Sequence, residues 1–332
     1  MADKRIKDIV NGILDSSSIL EDEPMSRHTT FRVGGNASFF VSPKSEDEIV
    51  RLVKELNKSD INFEIVGNGS NLLVSDEGYD GVIINIASEY SGYEIAERSE
   101  RGADEGHSRS EIADDGESLN STEERNYKIL VKAGTMLGRL GNELARAGIA
   151  GFEFASGIPG TIGGAIVMNA GAYGGEMKDV VSEVKVCDSD GRIIILSNEE
   201  LKFGYRDSII KRENYTVLEV ILNLSAGDPL LIQEKLNDLK NRRCEKQPLE
   251  YASAGSTFKR PVGNFAGKLI EEANLKGFNI GGAYVSEKHA GFIVNKGEAT
   301  AADIYQLIEH VIEEVRKNAG VTLEPEVKML GF

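Results

Sequence analysis

Apolar side chains recur along this chain with two periods, helical and alternating, and together they mark out most of its elements. Near the start, Ile6, Ile9, Val10, Ile13 and Leu14 fall at helical spacing and predict a leading helix packed by one face. Ser45 and Glu48 stand just ahead of Ile49, Leu52, Val53 and Leu56, the pattern of a capped amphipathic helix. INFEIVG and GVIINI then alternate as strands, so this stretch reads as a small β-α-β unit. KILVKAG predicts another strand, after which Thr135 reads as the cap of a helix that turns Leu137, Leu140 and Leu144 inward and stops at Gly148. VVSEVKVCD and RIIILS flank a Ser-Asp-Gly turn, and TVLEVILNL forms a further strand.

The texture changes at Gly227-Asp228-Pro229, where Asp228 suits a cap and Pro229 the first turn of a helix running to about Lys246. A second helix follows Asn264. A third opens at Thr300 and Asp303, with Ile304, Leu307, Ile308, Val311 and Val315 inward and Gly320 past its end. VTLEPEVKML is the last strand. The expected fold class is α+β. A first domain over 1–226 combines the small β-α-β subdomain with a larger α+β subdomain, and a second α+β domain covers 227–332.

One segment breaks the pattern. Residues 88–126 hold twelve acidic and four basic side chains, a net −8 that is half of the chain's −16, and few large apolar groups. Such a segment buries too little apolar surface to offset its ordering entropy, so a mobile, solvated insert is expected. A tolerated surface insertion is favoured over a regulatory role.

The bulk composition of the 332 residues, 40% hydrophobic and 28% charged, is that of a globular protein. A net charge of −16 argues against nonspecific binding to nucleic acid or anionic membrane. No apolar run approaches a membrane span or a signal core, so the expected location is the cytoplasm. Cys187 and Cys244 are too few for a disulfide framework or a zinc site, and no metal is expected. A monomer is favoured.

The chemistry gathers in two glycine-rich stretches, GNGSNLLVSD from Gly67 and SGIPGTIGGAIVMNAGAYG from Ser156. Small residues let backbone N–H groups close around an anion, and the loops suit a pyrophosphate. Neither matches GxxxxGK[ST], nor a GxGxxG that opens a helix, and Ala165 to Met168 reads as an apolar hairpin. On the residues alone, tight turns in a β-rich domain remain an open alternative.

With HTTFRVGGNA, GYRDS, AGSTFKRP and LEPEV, these stretches resemble the UDP-N-acetylenolpyruvoylglucosamine reductase family, flavoenzymes of peptidoglycan precursor synthesis. Their flavin domain is similar to that of vanillyl-alcohol oxidase and p-cresol methylhydroxylase. The resemblance implies noncovalent FAD, NADPH as hydride donor and a UDP-sugar substrate. It matches Gly67, Asn68, Gly69, Ser70 and Asn71 to the first flavin loop. Ser156, Gly157, Gly160, Thr161, Gly163 and Gly164, followed by Asn169, Ala170 and Gly171, match the second.

Three further positions match the family's catalytic roles. Arg206 stands where an arginine holds the substrate carboxylate and stabilises an enolate, a task for a fixed cationic fork; by itself it equally suits an ion pair with Asp207. Ser256 matches the proton donor, although serine is a weak acid and the residues alone read as a turn. Glu326 matches a glutamate that assists the enolate and needs a raised pKa to do so, with Glu324 as its neighbouring competitor. Lys259, Arg260, Tyr284 and His289 are candidates for the nucleotide-sugar pocket, the first two for its diphosphate. The short path from Ala226 to Ser256 implies the branch lacking an extra tyrosine-bearing loop. Two alternatives stand beside this reading: an oxidase or dehydrogenase of the same flavin fold, and a noncatalytic flavin sensor whose acidic insert recruits a partner.

Overall fold

The computed structural model describes residues 2–97 and 126–332. The leading helix Ala2–Asn11 buries Ile6 and Val10 and packs on the helix Glu46–Lys58. The second helix is capped as expected, Ser45 Oγ accepting from Glu48 N at 3.2 Å while the Glu48 carboxylate accepts from Ser45 N. Its buried stripe, Ile49, Leu52, Val53 and Leu56, covers a four-stranded sheet. There Asn36–Val41 and Phe63–Val66 both run parallel to Tyr79–Asn85 between them, and Ile19–Pro24 adds an antiparallel edge.

The larger sheet is antiparallel throughout, in the order Ile193–Ser197, Val181–Cys187, Thr216–Ala226, Asn126–Lys132 and Tyr93–Glu97, with Ile149–Ala150 paired on Thr216–Ala226. Its inward Val and Ile side chains share one apolar cluster with the stripe of Glu46–Lys58. Cys187 lies inside, burial pushing its thiol up to about 11, and Cys244 is exposed.

Three expectations are corrected here. Thr135 caps no helix: its hydroxyl donates to Gly92 O at 2.9 Å and accepts from Gly92 N, and Leu137–Arg146 begins at Met136 without a side-chain cap. The run from Ala165 is no hairpin but part of a short helix, Ile162–Val167, whose cap Thr161 accepts from Gly164 N. The insert expected over 88–126 begins later, because Tyr90 is buried and Tyr93–Glu97 pairs with Asn126–Lys132 from Tyr93↔Val131 to Glu97↔Tyr127. Two tyrosines and a free strand edge supply the burial and pairing that the acidic composition hides. The rest of that insert, 98–125, lies outside the described residues.

The helix Pro229–Lys246, capped by Asp228, lays Ile232 and Leu236 on Ala145 of Leu137–Arg146. Beyond it, a three-stranded sheet of Asn279–Ile280, Ala283–Val285 and Ile293–Asn295 packs with the helices Ala266–Glu272 and Ala301–Ala319. The last strand, Lys328–Leu330, leaves this sheet and pairs parallel with Leu72–Val74, directly after the first glycine loop. Helices and mostly antiparallel sheets thus make an α+β architecture, as expected. No helix among the described residues is long and apolar enough to cross a membrane.

Candidate active site

The two glycine-rich stretches, far apart in sequence, meet face to face. Asn68 Nδ2 donates to Pro159 O at 2.7 Å, and a Cβ on Gly67 would sit 2.4 Å from Thr161 Oγ1. Gly69 has φ +59° and no room for a side chain, since a Cβ there would lie 1.9 Å from His28 O. The N–H groups of Gly67 through Asn71 find no acceptor among the described residues. Beside them, Thr30 Oγ1 is the one buried side-chain polar atom among the described residues without a partner, and Thr30 N donates to Gly69 O. A cradle of consecutive backbone donors and an orphaned buried hydroxyl fit an anionic, polar cofactor such as FAD. Asn169, also matched to the second loop, has its side chain engaged within the protein, donating to Glu176 Oε2 and Gly204 O and accepting from Lys178 N, so it ties the second loop to the turn that carries Arg206.

That turn closes through Gly204 N to Asp207 O at 2.9 Å and puts Arg206 at φ +55°. Strain of this kind in a non-glycine residue persists where the surroundings over-determine it. Arg206 ignores Asp207, which faces Arg212, and its Nε donates to Glu326 Oε1 at 2.7 Å. Glu326 is held in turn by its backbone, N donating to Thr257 O at 2.8 Å and O accepting from Asn71 Nδ2 at 3.1 Å. Thr257 is fully buried, its Oγ1 accepting from Ile293 N, and so anchors the adjoining Ser256, whose own side chain is exposed. Glu324, the competitor, points outward and pairs with Lys259.

Arg206, Ser256 and Glu326 line one cavity of about 430 Å³ with Tyr205, Arg260 and His289. Burial pushes the Glu326 carboxyl above its ordinary range, against the downward pull of the Arg206 guanidinium. Burial also lowers His289, which accepts from Gly291 N through Nδ1.

Of the four proposed pocket residues, Arg260 and His289 reach the cavity; Lys259 and Tyr284 do not line it. Lys259 is engaged by Glu324, and the Tyr284 ring lies 4.2 Å from Lys296 Nζ. The sequence reading missed Tyr205, whose hydroxyl accepts from Arg260 N at 3.0 Å, and Phe265, whose ring carries the Arg260 guanidinium at 4.6 Å. Tyr205 had a signal in its place beside Arg206. Phe265 had none, for an apolar residue ahead of a helix reads as core.

Comparison with known proteins covers both halves of the chain. Residues 37–102 and 114–197 match the model of an FAD binding domain, and residues 247–330 match that of the UDP-N-acetylenolpyruvoylglucosamine reductase C-terminal domain. A UDP-N-acetylenolpyruvoylglucosamine reductase from Caldanaerobacter subterraneus subsp. tengcongensis is 46% identical over 324 residues, 98% of this chain and 97% of that protein. One from Clostridioides difficile is 46% identical over 319 residues, 96% of this chain and 95% of its own length. The crystal structure of UDP-N-acetylenolpyruvylglucosamine reductase from Thermus caldophilus superposes with a TM-score of 0.73 at 33% identity, over 94% of this chain and 98% of that one. With both halves matched in order and nearly end to end, the chain belongs to the UDP-N-acetylenolpyruvoylglucosamine reductase family of FAD-dependent oxidoreductases.

Proposed function

We propose that this chain reduces UDP-N-acetylglucosamine enolpyruvate to UDP-N-acetylmuramate in the cytoplasm, with NADPH as electron source, as a step of peptidoglycan precursor synthesis. The observation that carries the reading is the convergence of Arg206, Ser256 and Glu326, from three separate segments, on one cavity beside the paired glycine loops. Those loops would hold FAD noncovalently, and FAD would supply the hydride transfer from NADPH to the enolpyruvyl methylene carbon.

The protein's own groups handle charge and protons. Arg206 spends only Nε on Glu326, which leaves the outer edge of its fork for the substrate carboxylate as that group gains electron density. Burial shifts Glu326 toward its protonated form, the form that can donate to the developing enolate oxygen. Ser256 donates a proton to the carbon next to the carboxylate, and its exposure to the cavity lets water restore that proton. Arg260 and His289 form the wall along which the nucleotide-sugar extends.

The test is anaerobic. Reduce the yellow protein with NADPH, add the enolpyruvyl substrate, and follow oxidised-flavin absorbance. Prompt reoxidation is expected, and Ser256→Ala should slow that half-reaction by about 10²–10⁴-fold while flavin reduction by NADPH persists. A flavin that reoxidises only in air would replace this reading with an oxidase.

A further inference from the structure

The turn that brings His289 to the cavity also supports the backbone behind the proton-handling groups. Ser286 Oγ accepts from Lys288 N at 3.2 Å and from His289 N at 3.3 Å, and Phe292 N donates to His289 O at 2.9 Å, so Ser286 to Phe292 form one closed turn. Gly291 is buried within it, and the acceptor of its N–H among the described residues is His289 Nδ1 at 3.1 Å. The Gly291 carbonyl accepts from Thr257 N at 2.9 Å, and the Thr257 carbonyl accepts from Glu326 N at 2.8 Å. Ser256 directly precedes Thr257. One run of hydrogen bonds thus leads from the His289 ring to the backbone of both groups.

The ring has little freedom to leave that run. A Cβ on Gly291 would lie 3.0 Å from its Cε1 and one on Gly267 3.4 Å from the same atom, while Phe292 meets the ring edge-on at 4.9 Å. A ring that accepts at Nδ1 carries its proton on Nε2, so the bond belongs to the neutral form. Burial favours that form and pushes the pKa below the ordinary 6.5, with Lys276 adding to the push. Around the ring stand Lys268 and Glu271 of the helix Ala266–Glu272, Lys276 beyond that helix, Lys288 in the turn, and Arg260 and Glu326 elsewhere on the cavity wall. The strand Ile293–Asn295 adds no charge.

We propose that His289 is a positioning residue for the reduction: by accepting from Gly291 N, its ring fixes the Gly291–Thr257 hydrogen bond and with it the places of Ser256 and Glu326 in the cavity. The proposal rests on the reaction proposed above. It gives the ring two tasks, contact with the nucleotide-sugar through Nε2 and support of the turn through Nδ1. Protonation of Nδ1 sets two donors against each other, the ring N–H and Gly291 N–H, inside a turn that leaves the ring no room to rotate. Proton donation by Ser256 therefore fails as pH falls through the His289 pKa, on the acid side of 6.5. Glu326 acts in the opposite sense, since its protonated form is the productive one and is lost as pH rises. A rate that falls toward acid pH thus reports His289.

The experiment is single-turnover reoxidation of the reduced holoenzyme by saturating enolpyruvyl substrate, read by flavin absorbance between about pH 5 and 8. The wild-type rate should fall on the acid side. Two amides divide the tasks of the ring, because the Asn side-chain oxygen reaches the place of Nδ1 and the Gln amide nitrogen that of Nε2. His289→Gln should leave the buried Gly291 N–H unpaired and slow the step by about 10-fold. His289→Asn should keep more of the rate, lose the acid limb, and raise the substrate KM more than His289→Gln does. Equal slowing in the two variants, or the reverse order, overturns the proposal. So does a wild-type rate that stays flat toward acid pH, or an acid limb that survives in His289→Asn. Should His289→Gln fail to fold, the wild-type limb and its absence from His289→Asn still decide. Wild-type flavin that the substrate does not reoxidise at any pH would overturn the proposed function itself, which separates the two failures.

Discussion

Glu326 holds the sharpest conflict between stability and chemistry at a single residue. Its carboxyl is mostly buried, and desolvation outweighs the stabilising Arg206 guanidinium, so its folded-state pKa lies above the unfolded value near 4.3. Between those two values the native state binds more protons than the unfolded state, and stability therefore falls as pH rises through that window. Above the window the full penalty is present; below it, none. Glu326→Gln removes the charge and keeps an oxygen that accepts from Arg206 Nε. Its thermal midpoint should exceed that of wild type above the window and match it below pH 4. The same substitution should slow flavin reoxidation by the enolpyruvyl substrate, because an amide has no acidic proton. Melting curves at the two pH values check the first half, and an equal shift at both would show that packing rather than charge sets the difference.

At the scale of elements, the helix Ala301–Ala319 shows how two distant parts of the chain close one structure. Three of its first N–H groups would be orphans. Thr300 Oγ1 takes Asp303 N at 3.0 Å, and Asp76, from the end of the first glycine stretch, takes Ala301 N at 2.9 Å and Ala302 N at 2.8 Å. Asp76→Ala should therefore destabilise the protein by about 1–2 kcal/mol, and Asp76→Asn, which keeps one acceptor oxygen, by less; urea unfolding midpoints compare them. The split between Thr300 and Asp76 also explains what the sequence disclosed. Ser45 with Glu48, Asp228 with Pro229, and Thr300 with Asp303 act within one turn, and all three caps were legible. Thr135 was misread because its hydroxyl turns to Gly92, 43 residues away, and Asp76 gave no cap signal because its helix begins 225 residues later. The strand Lys328–Leu330 was visible as a strand, but its partner Leu72–Val74 was not. In the site, Arg206, Ser256 and Glu326, singled out by their motifs, line one cavity. Lys259 and Tyr284 lie off that cavity, engaged by Glu324 and Lys296, while Tyr205 and Phe265 line it without having been singled out, Tyr205 through a contact to Arg260 N that spans 55 residues.

For the whole molecule, those crossings tie the last hundred residues to the first half of the chain. The core of the last hundred residues is completed by Phe31, Val33 and Leu73 from the first half, each nearly or fully buried. Three such side chains contribute about 5–9 kcal/mol of burial, comparable to the entire stability of an ordinary domain. Polar groups follow the same route: buried Asn295 Nδ2 donates to Phe31 O at 2.9 Å, and the Glu326 carbonyl relies on Asn71. A fragment of residues 247–332, the stretch matched by the C-terminal family model and its tail, would expose that apolar surface and orphan those donors and acceptors. It should melt without a cooperative transition and lack near-ultraviolet circular dichroism, whereas the full chain should show both. The reason bears on the proposed chemistry. Ser256 and Glu326 sit on backbone that is pinned to the first glycine loop through Thr257, Asn71 and the strand Leu72–Val74, so that loop and the two proposed proton-handling groups share one frame. A fragment that unfolds in a sharp, reversible step would mean that this frame exists without the flavin half, and that the pinning contacts position the site without holding it together.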